Sequence, residues 1–99
     1  MAFKPITVEK EIKGRKFVAQ FSGASMLFKF NSETQGDAEK AKDFLLEHAL
    51  VEPQIKPEDF DDFIGTDIDM MNEIIEFAGA VMRADKEYFP DEKPSAVKK

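Results

Sequence analysis

The side chains that most often carry enzymatic chemistry are scarce in this chain, which has one histidine and no cysteine. His48 falls on the apolar face of an amphipathic segment. A histidine in that position is more often a partly buried, hydrogen-bonded core residue than a catalytic base. No serine stands in the context of a nucleophile elbow, and no nucleophile, base and orienting residue are grouped in sequence. We therefore expect a non-enzymatic protein without catalytic residues.

Acidic residues are dense between positions 58 and 69, and carboxylates are ligands that calcium prefers. The cluster comprises Glu58, Asp59, Asp61, Asp62, Asp67 and Asp69. If Gly65 were the glycine of an EF-hand loop, the first and last ligand positions would be Phe60 and Met71, which offer no side-chain oxygen. The glycines of the chain also never cluster into a phosphate-binding loop. We expect the acids to form a solvated face and helix caps, with no metal and no cofactor bound.

The charge balance favours a protein partner over nucleic acid. The chain has 20 acidic and 14 basic residues, with a formal net charge of -6 and a pI near 4.8. Nucleic acid backbones are bound through clustered lysine and arginine. No apolar run approaches the ~18 residues of a membrane span, and the N-terminal residues lack the apolar segment of a secretion signal. Since an absence of cysteine suits a reducing compartment, we expect a cytoplasmic protein. From the charge balance and the short apolar runs, we expect it to bind neither nucleic acid nor membrane.

Helical periodicity is clearest from Ile68 to Arg83, where apolar residues form two adjacent rows. One row comprises Ile68, Met71, Ile75, Ala78 and Met82, and the other comprises Met70, Ile74, Phe77 and Val81. Together they make a stripe wider than one neighbouring helix can cover. We expect the first row to be buried, because it begins at the helix cap and contains the small Ala78. The second row is then the predicted partner-binding surface, open to another copy of the protein or to an apolar helical client.

The N-terminal residues have the pattern of a β-hairpin. Residues 6–12 and 15–21 are rich in β-branched and aromatic residues and flank Lys13-Gly14. Phe17, Ala19 and Phe21 point to one face of the second strand. Their partners Ile6, Val8 and Ile12 do not keep strict alternation, which indicates a bulge or a shifted boundary.

Two segments follow the hairpin. In the segment ASMLFKFNS, Met26, Phe28 and Phe30 alternate as in a strand, whereas Met26, Leu27 and Phe30 suit a helix capped by Ser22, and periodicity alone leaves both open. After a polar loop, an amphipathic helix is predicted from about Asp37 to Ala49, opened by Thr34 or Gly36.

The prolines then divide the chain. Pro53 predicts that the preceding helix has ended and that residues 51–55 are extended, with Val51 and Ile55 pointing inward. Pro57 suits the first position of a short helix, PEDFDDFI, whose apolar side comprises Phe60, Phe63 and Ile64. Gly65 ends it, and Thr66 or Asp67 caps the long helix.

Beyond Arg83 the chain is charged and contains two prolines, with Tyr88, Phe89 and Val97 as its sizeable apolar residues. Such a composition predicts a frayed or disordered tail. We therefore expect a single α+β domain over residues 1–84 and a flexible charged tail over residues 85–99. In that domain a small N-terminal β-hairpin packs on a bundle of about three to four short helices.

Several short segments, taken in order, resemble the tail assembly chaperones of long-tailed bacteriophages. They are Lys13-Gly14-Arg15-Lys16-Phe17, Phe21-Ser22-Gly23, Glu47-His48-Ala49-Leu50-Val51-Glu52-Pro53 and the acidic turn that contains Phe60. The resemblance covers roughly residues 9 to 82. Relatives usually have a proline before the glycine that matches Gly23 and a basic residue after it, where this chain has Ser22 and Ala24.

The resemblance implies a non-enzymatic chaperone that binds the tape-measure protein, a long apolar helical chain, while the tail tube assembles around it. It also implies contacts with other tail proteins, self-association into a homo-oligomer, and action in the cytoplasm of a bacterial host. For residues 24–31 it implies helix. Members of the family often exist in a longer, frameshifted form as well, which would extend this chain beyond Lys99.

Two other classes of function remain open from the sequence. An acidic inhibitor that mimics nucleic acid would fit the net charge of -6 and would present a regular array of exposed carboxylates. A structural tail or head-joining component would use the same hairpin and helices as permanent interfaces. Binding by charge mimicry weakens steeply with salt whereas binding through apolar contacts does not, so salt dependence separates the mimic from the chaperone.

Overall fold

The fold combines a three-stranded antiparallel sheet with four α-helices, in a computed structural model that describes residues 4–89. The strands are β1 (Ile6–Ile12), β2 (Arg15–Phe21) and β3 (Leu50–Glu52), in the order β1-β2-β3. The helices are α1 (Ala24–Thr34), α2 (Ala38–Phe44), α3 (Phe60–Ile64) and α4 (Ile68–Met82). The predicted α+β class is therefore confirmed, with a third strand added to the hairpin.

The hairpin forms at the predicted positions and pairs without interruption from Ile6 opposite Phe21 to Ile12 opposite Arg15. Lys13 and Gly14 make the turn with φ of 55° and 79°, the left-handed values that a two-residue hairpin loop requires. Neither the bulge nor the shifted boundary that the broken alternation suggested occurs in the hairpin. Lys10 fills the gap in the apolar alternation, opposite Phe17. The irregular step lies instead between Val18 and Ala19, where β2 pairs with β3.

The segment that periodicity left open is a helix, as the resemblance implied. α1 begins after Gly23, which has a φ of 108° and gives the helix no side-chain cap, so the expectation that Ser22 caps it is wrong. α1 ends at Gln35, whose left-handed φ of 46° lets its N–H bond the carbonyl of Asn31. The alternation of Met26, Phe28 and Phe30 was therefore coincidental.

The second helix spans the predicted residues, although its cap and its last turn differ from expectation. Asp37 is the N-cap, because its carboxylate accepts hydrogen bonds from the N–H groups of Glu39 and Lys40 at 2.9 and 3.1 Å. Neither Thr34 nor Gly36 has that role. After α2 the chain continues as a π-helical turn, Leu45–Ala49, and then enters β3.

The extended segment is confirmed in β3, but only one of its two predicted inward residues points inward. Ile55 is buried, whereas Val51 is 38% exposed. Leu50 takes the buried place instead, because β3 pairs with β2 through Leu50 opposite Ala19 and alternate strand residues face opposite sides.

A 3₁₀ turn, Pro57–Asp59, leads into α3, which buries Phe60 and Ile64 as expected. Gly65 ends α3 with a φ of 61°. Asp67 is the cap of α4, since its carboxylate accepts the N–H of Met70 at 3.0 Å. The predicted joint between the two helices is confirmed.

α4 ends in a Schellman motif around Ala84, whose φ is 54°. The N–H of Ala84 bonds the carbonyl of Val81 at 3.0 Å, and the N–H of Asp85 bonds the carbonyl of Ala80 at 2.8 Å. This reversal sends the chain back towards the sheet.

The expectation of a flexible tail from residue 85 onward is wrong for residues 85–89. Tyr88 and Phe89 pack against the core, with the Tyr88 ring 5.3 Å from that of Phe77 and the Phe89 ring 5.7 Å from that of Phe21. The packing of these two aromatic rings against β2 and α4 stabilises the segment, although the residues around them are charged. The tail predicted over residues 90–99, with Val97, lies outside the described residues.

Two apolar clusters hold the elements together. The sheet-side core lies between the sheet, α3 and α4 and includes Ile12, Phe17, Ala19, Leu46, Leu50, Ile55, Phe60, Ile64, Ile74, Phe77 and Val81. The α1-side core lies between α1, α2, the π-helical turn and α4 and consists of Phe44, Leu45, Ala49, Ala78 and Met82. α4 contributes to both, so it is the element on which the fold is built.

Candidate interaction surface

The structure reverses the roles predicted for the two apolar rows of α4. Ile74, Phe77 and Val81 are 0%, 1% and 0% exposed, and Met70 is half-buried against the same sheet-side core. The expectation that Met70, Ile74, Phe77 and Val81 form an exposed partner-binding row is therefore wrong. No partner can reach the last three side chains while the domain is folded.

The reason for the reversal is side-chain volume. A layer packed on a sheet lies about 10 Å from it, and the bulky Ile74 and Phe77 fill that space against β2. The row with Ala78 and the adjacent Gly79 suits a helical neighbour, because small residues allow helix axes to approach. A methyl group placed at Gly79 would lie 3.8 Å from the Leu45 side chain, which shows how near the π-helical turn comes.

The other row is divided along its length. Ala78 and Met82, in the C-terminal half of α4, are each 1% exposed in the α1-side core. In the N-terminal half, Ile68 is 53% exposed and Met71 and Ile75 are half-buried. We call Ile68, Met71 and Ile75 the α4 strip. At 1.5 Å per residue it runs about 10 Å along the helix.

The strip is continuous with the interior of the protein at one end. Ile75 packs against both the sheet-side core and the α1-side core. Met26, Leu27 and Phe30 of α1 are partly buried on that same α1-side core. The strip therefore leads from solvent at Ile68 to the α1-side core, and Ile68 is not an isolated exposed side chain.

Acidic and polar side chains border the α4 strip. Asp69, Asn72, Glu73 and Glu76 are exposed on the remaining side of α4. Asp67, at the start of the helix, is half-exposed and has its carboxylate 3.4 Å from the Lys13 ammonium. An apolar surface with an acidic border is complementary to an apolar segment flanked by basic residues.

Within residues 4–89, three further large apolar side chains are exposed outside α4. Phe28 is 76% exposed on the outer face of α1, opposite the face that packs inward. Ile6 at the start of β1 is 45% exposed, and Val51 in β3 is the third. Single exposed apolar residues are ordinary on a protein surface. The α4 strip differs from them because its residues are adjacent and lead into the core.

His48 is partly buried, as the sequence predicted. Its ring is partly buried and stacks on Phe44 at a centroid distance of 4.4 Å. Its Nε2 is 4.0 Å from a carboxylate oxygen of Glu47, and its backbone carbonyl accepts a hydrogen bond from Gln20 at 3.2 Å. The ring therefore contacts Phe44 at the end of α2 and Glu47 within the π-helical turn.

Two open clefts flank the π-helical turn. One, of about 430 Å³, is lined by Glu33, Thr34, Lys40, Asp43, Phe44 and Glu47. The other, of about 470 Å³, is lined by Leu46, Glu47, Gln54, Ile55, Lys56, Pro57 and Glu58. Within residues 4–89, no three histidine or acidic side chains are grouped so as to hold a metal ion.

The sequence did contain a signal for the α4 strip. The row that carries Phe77 is the bulkier one, while Ala78 and Gly79 mark the side of close helix approach, so relative volume indicated which row faces the sheet. Periodicity gives the direction of each row but not the identity of the element opposite it.

None of the helices in the described part of the chain has both the length and the apolarity that crossing a membrane requires. Comparisons with protein-family models, with curated proteins and with solved structures return no match to this chain.

Proposed function

We propose that this protein is a non-enzymatic assembly chaperone of the phage-tail type, which holds an apolar helical segment of a tape-measure protein on the α4 strip. The observation that carries the proposal is the half-open row of α4. Ile68 is 53% exposed in a row whose other end is buried, so the domain leaves the start of its main helix only partly covered.

The chemistry of the strip fits a helical client. An amphipathic helix docks through apolar side chains spaced three and four residues apart, and Ile68, Met71 and Ile75 have that same spacing. Met71 is unbranched and adapts its shape to different apolar neighbours. The acidic border favours a client with basic residues beside its apolar face. The proposed site of action is the cytoplasm of a bacterial host, with other tail proteins as further partners.

The residues that carry the resemblance lie in the framework of the domain and not on the α4 strip. Lys13 to Phe17 form the hairpin turn and the start of β2, and Phe21 to Gly23 join β2 to α1. Glu47 to Pro53 run from the π-helical turn through β3. α4 packs on the sheet and on the π-helical turn, to which these segments contribute, and the α4 strip lies outside them.

The test is a matched pair of isoleucine substitutions. Ile68→Ser removes the most exposed residue of the strip, and Ile6→Ser removes an isoleucine of similar exposure, 45%, on the hairpin. Light scattering follows the aggregation of a tape-measure fragment with each variant present. We expect Ile68→Ser to lose protection and Ile6→Ser to retain it, with both variants folded.

Two outcomes contradict the proposal. If wild-type protein does not suppress aggregation at any ratio, the chaperone function is wrong. If Ile68→Ser and Ile6→Ser protect equally, the strip is not the binding surface. Repeating the assay at high salt adds a third readout, because binding through apolar contacts persists there and binding through charge does not.

A further inference from the structure

We infer that the outer edge of β1 is a second binding surface, which takes an extended segment of a partner protein as an additional strand of the sheet. The segment that fits has lysine or arginine at alternate positions, with apolar residues between them. This inference goes beyond the proposed function and does not depend on it, because the edge of β1 and the α4 strip are different surfaces.

β1 is the longer of the two edge strands of the sheet. It has β2 on one side, and no other strand formed by residues 4–89 pairs with it. β3, at the opposite edge, has three residues and is followed by Pro53, which has no N–H to donate. β1 has seven residues. An edge of that length with unpaired backbone groups is a template for a further strand.

The hairpin turn determines which backbone groups of β1 face outward. Because Lys13-Gly14 is a two-residue loop, Ile12 and Arg15 beside it form a hydrogen-bonded pair. Hydrogen-bonded pairs alternate with non-hydrogen-bonded pairs along an antiparallel ladder, so every second residue of β1 directs its N–H and C=O away from β2. These outward residues are Thr7, Glu9 and Glu11, and all three are exposed. An incoming strand can therefore bond three residues of β1.

Two of these outward residues are acidic and lie on the same face of the sheet. Glu9 and Glu11 are two positions apart, so their side chains point to one side of β1. The Glu9 carboxylate is 4.0 Å from the Lys16 ammonium, in an ion pair between exposed side chains that contributes little. Basic residues at alternate positions of an added strand lie directly opposite both carboxylates, where opposite charges stabilise the pairing.

The core-facing side of the same edge is apolar. Ile6 is 45% exposed and Val8 is half-buried against the sheet-side core. Lys10, the next residue on that side, has its ammonium 2.9 Å from the Tyr88 hydroxyl, so its charge already has a partner inside the domain. Apolar residues between the basic ones of an added strand therefore cover Ile6 and Val8.

A second copy of this chain is a poorer occupant of the edge, because like charges then meet. In the antiparallel register centred on the middle of β1, Glu9 of one copy lies opposite Glu9 of the other, and centring on Lys10 places the two lysines opposite each other. Registers shifted the other way bring Pro5 into the ladder, where it has no N–H. Each copy also has a net charge of -6, which opposes association.

The probe is a fluorescent peptide, Lys-Val-Lys-Val-Thr-Val, with blocked ends. Aligned antiparallel to β1, it places its lysines opposite Glu11 and Glu9, and the N–H groups of its lysines and threonine face β1. Methylation of the first two valine amides, which face away, prevents self-association of the peptide. The control peptide carries the two methyl groups on the lysine amides instead. Fluorescence anisotropy at low salt should show at least about tenfold weaker binding of the control peptide.

Three variants of the protein provide the matched test. Glu9→Pro removes an outward N–H and leaves the groups that bond β2 in place, as proline is tolerated on an edge strand in that orientation. Glu11→Lys reverses one charge at the edge, and Glu33→Lys reverses one exposed charge on α1. We expect Glu9→Pro and Glu11→Lys each to weaken binding at least about tenfold and Glu33→Lys to leave it unchanged. Thermal unfolding confirms that each variant is folded.

Four outcomes overturn the inference. If the probe peptide does not bind, or if the control peptide binds equally well, no strand is added to β1. If Glu33→Lys weakens binding as much as Glu11→Lys, the attraction is due to net charge alone. If sedimentation shows a wild-type dimer that Glu9→Pro dissociates, a second copy occupies the edge. Should Glu9→Pro not fold, the two peptides and the two charge reversals still decide the question, and none of these results bears on the α4 strip.

Discussion

The side-chain ammonium of Lys10 in β1 donates a hydrogen bond to the hydroxyl of Tyr88, 2.9 Å away across a separation of 78 residues. The same Tyr88 ring packs on Phe77 of α4. The bond therefore joins the first strand to the segment that follows the last helix. Because of this bond above all, and of the charge of Tyr88 and the nearby Glu87 and Glu73, the pKa of Lys10 is raised above its ordinary value of 10.5, although burial opposes the shift.

Tyr88→Phe tests this contact. The substitution keeps the ring and removes the hydroxyl, so we expect a loss of about 0.5–1.5 kcal/mol in the free energy of unfolding, the usual net value of one hydrogen bond. Chemical denaturation at pH 7 measures it. A loss above about 3 kcal/mol would contradict the assignment, because it would mean that the ring packing had also changed.

The raised pKa of Lys10 gives the same contact a pH dependence. Since the folded protein holds the proton more tightly than the unfolded chain, the contribution is fully present below pH 10.5 and is lost as the pH rises through the folded-state pKa. We expect the melting temperature to fall more steeply between pH 9 and about pH 11 for wild type than for Lys10→Met. Equal slopes would show that the contact does not couple to protonation.

Two opposite substitutions near the end of α4 should both stabilise the protein. A methyl group at Gly79 meets only the mobile end of Arg83, at 3.1 Å, and Leu45 at an ordinary 3.8 Å. Gly79→Ala should therefore gain about 0.5–1 kcal/mol from helix propensity. Ala84 has a left-handed φ of 54°, so Ala84→Gly should gain a similar amount by relieving strain.

The reciprocal test for these positions uses Ala80, which lies in the same helix with ordinary helical geometry. Ala80→Gly should destabilise by about 1 kcal/mol. Differential scanning calorimetry compares the three variants. If Ala84→Gly lowers the melting temperature as Ala80→Gly does, the Schellman geometry does not hold in solution.

The two apolar rows of α4 should respond very differently to truncation. Phe77→Ala removes a buried ring and should cost about 3–5 kcal/mol, whereas Ile68→Ala should change stability by about 0.5 kcal/mol or less. The pair Ile74→Ser and Phe77→Ser together should unfold the domain. Urea denaturation of each variant measures the difference, and similar costs for Phe77→Ala and Ile68→Ala would reverse the assignment of the rows.

Val51 and Ile55 provide a matched pair around Pro53. Val51 is 38% exposed and Ile55 is 7% exposed. Val51→Asp should therefore have an effect near about 0.5 kcal/mol, while Ile55→Asp buries an unpaired charge and should cost about 3 kcal/mol or more. Circular dichroism melts distinguish them. A large loss of stability for Val51→Asp alone would show that the pairing of β3 with β2 is shifted by one residue, which would turn Val51 inward.

The sequence predicted correctly those parts of the fold that depend on residues close together in the chain. Lys13-Gly14 between two β-rich segments set the hairpin, and Gly65 with Asp67 set the start of α4, because turn and cap geometry depend on neighbouring residues. The ambiguity at residues 24–31 arose because Met26, Phe28 and Phe30 satisfy a period of two while Met26, Leu27 and Phe30 satisfy a helix. The helix lets Met26, Leu27 and Phe30 pack together on the α1-side core, where the Phe30 ring lies 5.3 Å from that of Phe44.

The errors share a different physical origin, namely contacts between distant residues. Tyr88 and Phe89 are surrounded by charges in sequence, and their partners Lys10 and Phe21 lie near the other end of the chain. The choice between the rows of α4 likewise depended on which element lies opposite Phe77. Periodicity places side chains on a face but does not say what that face contacts.

The strand order β1-β2-β3 has a consequence for how the chain folds. β2 pairs with β1 through a two-residue turn, but its other edge is completed by β3, which begins only at Leu50. The hairpin can therefore form from local contacts alone, whereas closure of the sheet requires α1, α2 and the π-helical turn to be in place, since nonlocal pairing has a higher entropic cost. During synthesis from the N-terminus, one edge of β2 stays without its partner strand until Leu50–Glu52 has left the ribosome.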